Sequence, residues 1–267
     1  MPSETLTMQP AAKRRSPVVW IVALTVVALL AAFLLPAMRQ PVEYHNFADH
    51  RHLAGVDNFL DVVSNAAFFV FGVWGLFILG RGQGGFEYPA ERWPYLAFFI
   101  GLVLTAAGSA YYHLAPDNET LFWDRLPMTI AFMGLVSAQV VDRIGVRAGL
   151  RVLPPALLVG IASVTYWLFT ERAGAGNVMP YGVLQGYTVI VVLLLALFNR
   201  SRYTHSADIF WVFGWYMLSK LLEHFDHEVL ALNHWVSGHT LKHLAAAMTG
   251  FVVCRMLLRR RLRDTVQ

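Results

Sequence analysis

The sequence predicts an all-α, polytopic membrane protein. Hydrophobic residues make up 57% of the chain and charged residues only 14%, too few for the surface of a soluble domain. The charges gather in short stretches between long apolar runs. Helices that satisfy their own backbone hydrogen bonds and cross a bilayer have this pattern.

In chain order, residues 1–16 are polar, carry Lys13, Arg14 and Arg15, and read as a cytoplasmic tail. The run 17–37 is long for a signal peptide and no small-x-small cleavage site follows, so it reads as an uncleaved first span leading into a linker to residue 42. Further spans are expected at 59–79, 94–114, 126–142, 153–170, 181–199, 207–223 and 240–258, followed by a basic cytoplasmic tail at 259–267. Pro94, Pro127, Pro154 and Pro180 stand at or near the expected span starts, where a missing N–H does little harm. The single cysteine, Cys254, excludes an internal disulfide or a cysteine zinc site and reads as packing.

Orientation follows from Lys and Arg, which accumulate on the cytoplasmic side. Most of them fall in the N-terminal tail, the loops 80–93, 143–152 and 200–206, and the C-terminal tail. Only Arg39, Arg51, Arg125 and Arg172 fall in the opposite loops. Both termini are therefore expected in the cytoplasm, as in a bacterial inner-membrane protein. The net charge of +4 belongs to these orienting loops and does not point to nucleic acid.

The same topology gathers chemistry at the outer face. His239 and His243, in SGHTLKHLAAA, are four residues apart and share a helix face. Ser109 and His113, in GSAYYHLAP, have the same spacing at the outward end of the third span. Asp124, in WDRLPMT, follows on the same side. Three imidazoles with an open position make a common catalytic zinc set. A neighbouring carboxylate can carry protons, and a hydroxyl can donate to a developing oxyanion. Each residue also has a plainer reading: a lone His-x-x-x-His is more often not a metal site. His113 can cap its helix, Asp124 can be an N-cap, and Ser109 can be a small packing residue. Their convergence on one membrane face favours the metal site, because ionisable groups in spans are costly and usually functional.

Lys220, Glu223 and Asp226 are spaced by three and read either as a buried ion-pair network or as a mark of the water boundary. Asp57, Asn58, Asp61, Ser64 and Asn65 crowd the start of the second span. Asp57, Asn58 and Asp61 could hold calcium; the favoured reading of the cluster is helix capping and interhelical hydrogen bonding. His45, His50, His52, His224, His227 and His234 read as interfacial.

These pieces, together with DVVSN at 61–65, resemble the alkaline ceramidase family, within the seven-span hydrolases that include the adiponectin and progestin receptors and haemolysin III-like proteins. The resemblance covers residues 43–258. It implies a seven-transmembrane-helix bundle, to which 17–37 is an extra N-terminal transmembrane helix. It implies zinc on His113, His239 and His243, Asp124 beside the reacting water, Ser109 near the scissile carbonyl, and hydrolysis of a ceramide-like lipid amide taken from the bilayer. Asn58 stands where that family has an acidic residue, which weakens the calcium expectation. A seven-span receptor or stress-response protein with structural zinc is the alternative. A transporter is disfavoured because the ionisable groups cluster at one face rather than through the midplane, and no Gly-x-Ser-Gly loop opens a span as in a rhomboid protease.

Overall fold

The computed structural model describes residues 17–263. The tail expected at 1–16 and the last four residues of the basic tail lie outside them. The described chain is all-helical. Its helices are α1 (Pro17–Leu34), α2 (Phe59–Val63), α3 (Ala66–Gly80), α4 (Arg92–Leu114), α5 (Asn118–Arg143), α6 (Val146–Arg172), α7 (Met179–Phe198), α8 (Ile209–His224), α9 (Asp226–Asn233) and α10 (Gly238–Arg259). Five segments are long and apolar enough to cross a membrane: Phe59–Gly80, Pro89–Leu114, Val146–Arg172, Met179–Phe198 and Gly238–Arg259. The rest of the eight expected spans correspond to α1, α5 and α8. α8 is short, the described part of α1 is 18 residues, and α5 is more polar.

Helices α3, α4, α5, α7, α8 and α10 surround a core that includes Phe99, Ala138, Val191, Leu195, Ala247 and Cys254, all fully buried. α6 packs on α5 and α7, and α1 packs on α7, with Thr25 Oγ1 2.8 Å from the Tyr187 hydroxyl. The far side of α1 exposes Val22, Val26, Leu30 and Phe33, an arrangement suited to lipid.

Two helices begin earlier than hydropathy indicates, because their first turns are polar. α5 starts at Asn118, capped by Asp117, whose side chain accepts from Thr120 N at 2.7 Å. Asp124 is thus inside the helix and is not its N-cap. Pro127 and Pro154 also fall inside helices rather than at their starts. Arg125, expected in an outer loop, is a buried helical residue.

The expected second span is broken between α2 and α3 at Ser64–Asn65, where the Asn65 amide donates to the Asp61 carbonyl at 2.8 Å. The seventh ends at Phe225, whose conformation (φ −100°, ψ 33°) turns α9 away from α8. At the opposite end of the bundle from the histidines, Arg260 is buried rather than part of an exposed basic tail. It donates to Asp142 at 2.9 Å and to the Gly84 carbonyl at 2.5 Å.

Candidate metal centre

His113 comes from the last turn of α4, and His239 and His243 from the first turns of α10. All three are buried, and their candidate ligand atoms lie within 4.8 Å of one another. The rings form a nearly regular triangle with centroid separations of 4.8, 4.9 and 4.9 Å. Phe47 covers it, 4.7 Å from the His113 ring and 4.4 Å from that of His239.

Local chemistry holds α10 in register. Ser237 is its N-cap and accepts from Thr240 N at 2.9 Å. The Thr240 and Ser237 hydroxyls donate to Asp61 Oδ1 at 2.5 and 3.3 Å, tying α10 to α2. Asp226 Oδ1 accepts the His239 N–H at 2.7 Å, and its other oxygen accepts from Ala48 N at 2.9 Å. Gly238 permits this closeness, since a Cβ there would lie 2.7 Å from Asp226 Cα.

Hydrogen bonding sets the His243 tautomer. The Ser64 hydroxyl donates to the Asp61 carbonyl at 3.1 Å, so its oxygen is left to accept from His243 Nδ1 at 2.8 Å. A proton on Nδ1 leaves a lone pair on Nε2. That Nε2 is buried without a partner. The Nε2 atoms of His113 and His239 face each other at 3.3 Å. A buried orphan acceptor beside two opposed ring nitrogens is the condition a metal ion relieves. Three neutral imidazoles suit a divalent transition metal, zinc among them.

Ser109 stands on α4 one turn before His113, and Asp124 stands on α5. Pro127 has no N–H to give the Trp123 carbonyl four residues back. A Cβ on Gly108 would strike that same carbonyl. The α4 and α5 backbones therefore meet where Ser109 and Asp124 stand. Both residues are buried.

Lys242, a charge within the last expected span, stands between the two α10 histidines. Its ammonium is 3.0 Å from His239 Nε2 and 2.9 Å from Glu223 Oε1. Lys220 also pairs with Glu223, at 2.7 Å, whereas Asp226 is drawn off by the α8–α9 corner and serves the backbone of His239 instead. Of the side chains weighed for calcium, Asp57 is exposed and pairs with His52 at 2.7 Å, Asn58 bonds the His113 carbonyl at 2.9 Å, and Asp61 bonds α10 through Oδ1. Among the described residues, the histidine trio is the group of three or more His, Cys, Asp or Glu placed to hold an ion. His45 is not free at an interface: it bridges the Tyr112 hydroxyl at 2.8 Å and Asn118 Oδ1 at 2.9 Å.

Inside the bundle lies an apolar cavity of about 110 Å³. Its lining includes Phe68, Thr105, Met128, Gln185, Tyr216 and Ala246. Each is four residues from Ser64, Ser109, Asp124, Tyr181, Lys220 or Lys242 respectively, and each is displaced away from the histidine end of the bundle. One helical turn is about 6 Å, so the cavity begins one turn beneath the polar site.

A scan against protein-family models finds no match, and a search of curated proteins finds none.

Proposed function

We propose that this protein is an intramembrane zinc-dependent amidase. Its substrate is a ceramide-like lipid amide, cleaved to a fatty acid and a sphingoid-type amine. The observation that carries the reading is a buried three-histidine centre at the end of the bundle where α4 meets α5 at Ser109 and Asp124, one turn above an apolar cavity. An acyl chain suits the cavity, and the amide then falls at the polar layer above it. We further assign zinc as the ion, a seven-helix core with α1 as an extra span, an inner-membrane location with both termini cytoplasmic, and a site near the outer face.

His113, His239 and His243 would hold the ion. Zinc, when bound, supplies Lewis acidity: a strong oxygen nucleophile near neutral pH and a polarised amide carbonyl. Asp124 accepts the proton that water loses and returns it to the amide nitrogen as the C–N bond breaks. Ser109 donates a hydrogen bond to the carbonyl oxygen as negative charge develops there. Ser64 keeps the His243 lone pair available. Phe47 shields the imidazoles from bulk water.

The test is Asp124→Asn. Asparagine keeps the size but has no useful basicity, and loss of a general base typically costs ~10²–10⁴ in rate. The variant should fold, keep its zinc and lose nearly all turnover of ceramide-like amides. Turnover near the wild-type rate would remove Asp124 from the proton path.

A further inference from the structure

The polar layer above the cavity gathers three cations. Arg125, Lys220 and Lys242 stand with Asp124 and Glu223, and buried Asp61 lies on the other side of Lys242. Both lysines share Glu223. Tyr44 joins the two halves of this layer: its hydroxyl donates to Glu223 Oε1 at 3.1 Å, and its ring lies 5.3 Å from the Arg125 guanidinium. Arg125 is 6% exposed, and among the described residues no carboxylate is bonded to it. Its Nη2 donates to Gln40 Oε1 at 2.7 Å, Trp167 and Tyr181 flank it at 4.7 and 5.0 Å, and its Nη1 is buried without a partner.

Packing alone does not account for a buried guanidinium held only by Gln40 and aromatic rings. Buried charge is costly unless paired, and a neutral side chain would fill the aromatic box around Arg125 more cheaply. A divalent metal on the histidines adds further positive charge. An anion that arrives with the ligand balances it. Lys220 is placed to meet one: its side chain is 36% exposed, and it stands one turn above Tyr216 at the top of the cavity.

We propose that Lys220, Lys242 and Arg125 form an anion-recognition rim, and that the lipid amides accepted here carry an acidic oxygen group on their amine half. Carboxylate, sulfonate and phosphate share the required chemistry: oxygen acceptors for charge-assisted hydrogen bonds from ammonium and guanidinium. This deepens the amidase reading and rests on it, since it assumes that the chain enters the cavity and the amide lies beside Asp124. The same rim would also attract the carboxylate of a released fatty acid, so the two sources need separate arms.

The experiment compares isosteric pairs on the zinc-loaded, full-length protein in neutral detergent. N-palmitoylglycine and N-palmitoylglycinamide differ only in charge at the amine half. Palmitate and palmitamide form the matching pair for a freed acid. Binding is titrated for all four, and the glycine lipids are checked for cleavage by mass spectrometry. N-palmitoylglycine should bind at least about tenfold more tightly than its amide, about 1.4 kcal/mol. Lys220→Gln should erase most of that preference and Lys220→Arg should keep it. Glu223→Gln, which removes the competing carboxylate, should enlarge it. Equal affinities within the glycine pair overturn the proposal. So does a preference confined to palmitate over palmitamide, which assigns the rim to the product. A tenfold preference without cleavage of either glycine lipid leaves the rim standing and counts against the amidase reading alone.

Discussion

Ser64→Ala probes the second layer of the centre, and its size can be worked out from two distances. The Ser64 hydroxyl proton goes to the Asp61 carbonyl at 3.1 Å, and the Ser64 oxygen accepts from His243 Nδ1 at 2.8 Å. In the alanine variant the Nδ1–H is buried with no acceptor, which costs about 1–3 kcal/mol. The ring can escape this cost by moving its proton to Nε2 or by turning, and either change takes the lone pair away from the metal. Loss of such an outer partner usually lowers metal affinity ~10–100-fold, or about 1.4–2.7 kcal/mol. Both routes give the same range. The assay is a competition titration of the purified protein against a chelator of known zinc affinity. Ser64→Ala should release zinc at ~10–100-fold lower chelator strength, with metal-free stability lowered by only about 1 kcal/mol for one hydrogen bond. A zinc affinity within twofold of wild type would refute the tautomer assignment.

Gly108→Ala drives a methyl group into the Trp123 carbonyl; overpacking of this kind costs about 1–3 kcal/mol. Because Ser109 and Asp124 flank the contact, turnover should fall further than zinc content when both are measured on one sample. At the other end of the bundle, Arg260→Ala strands the buried Asp142 carboxylate, and breaking such a pair costs about 3–5 kcal/mol. Replacing both partners together, as Arg260→Met with Asp142→Leu, should recover most of that in a thermal unfolding measurement. A single variant as stable as wild type would mean that this pair does not hold the end of the bundle.

Much of the centre was legible because helical spacing is rigid. Four residues separate His239 from His243 and Ser109 from His113, and topology alone brought α4, α5 and α10 to one face. What escaped the sequence depended on where helices bend or begin. Hydropathy does not register the polar first turn of α5, so Asp124 could pass for an N-cap until Asp117 was found in that role. The spacing of Lys220, Glu223 and Asp226 suggests one face, but the corner at Phe225 separates the third from the first two. Lys242 was visible as a charge in a span, yet only the packing of α8 on α10 gives it Glu223 as a partner. The meeting of Gly108 with a carbonyl freed by Pro127 pairs a glycine on one helix with a proline on another, and no local pattern links them.

In the proposed amidase, one zinc ion on His113, His239 and His243 is needed for amide cleavage. That requirement is tested most directly by measuring metal content and release of fatty acid from a ceramide-like amide on the same purified protein, before chelation, after chelation and after zinc is restored. About one zinc per chain is expected from a three-imidazole set. Release should stop with its removal, return with its restoration, and be absent from the His239→Ala/His243→Ala double variant, which should hold no zinc. Full zinc occupancy in the double variant would contradict the ligand assignment, and a zinc-loaded wild type that cleaves no lipid amide would contradict the amidase itself.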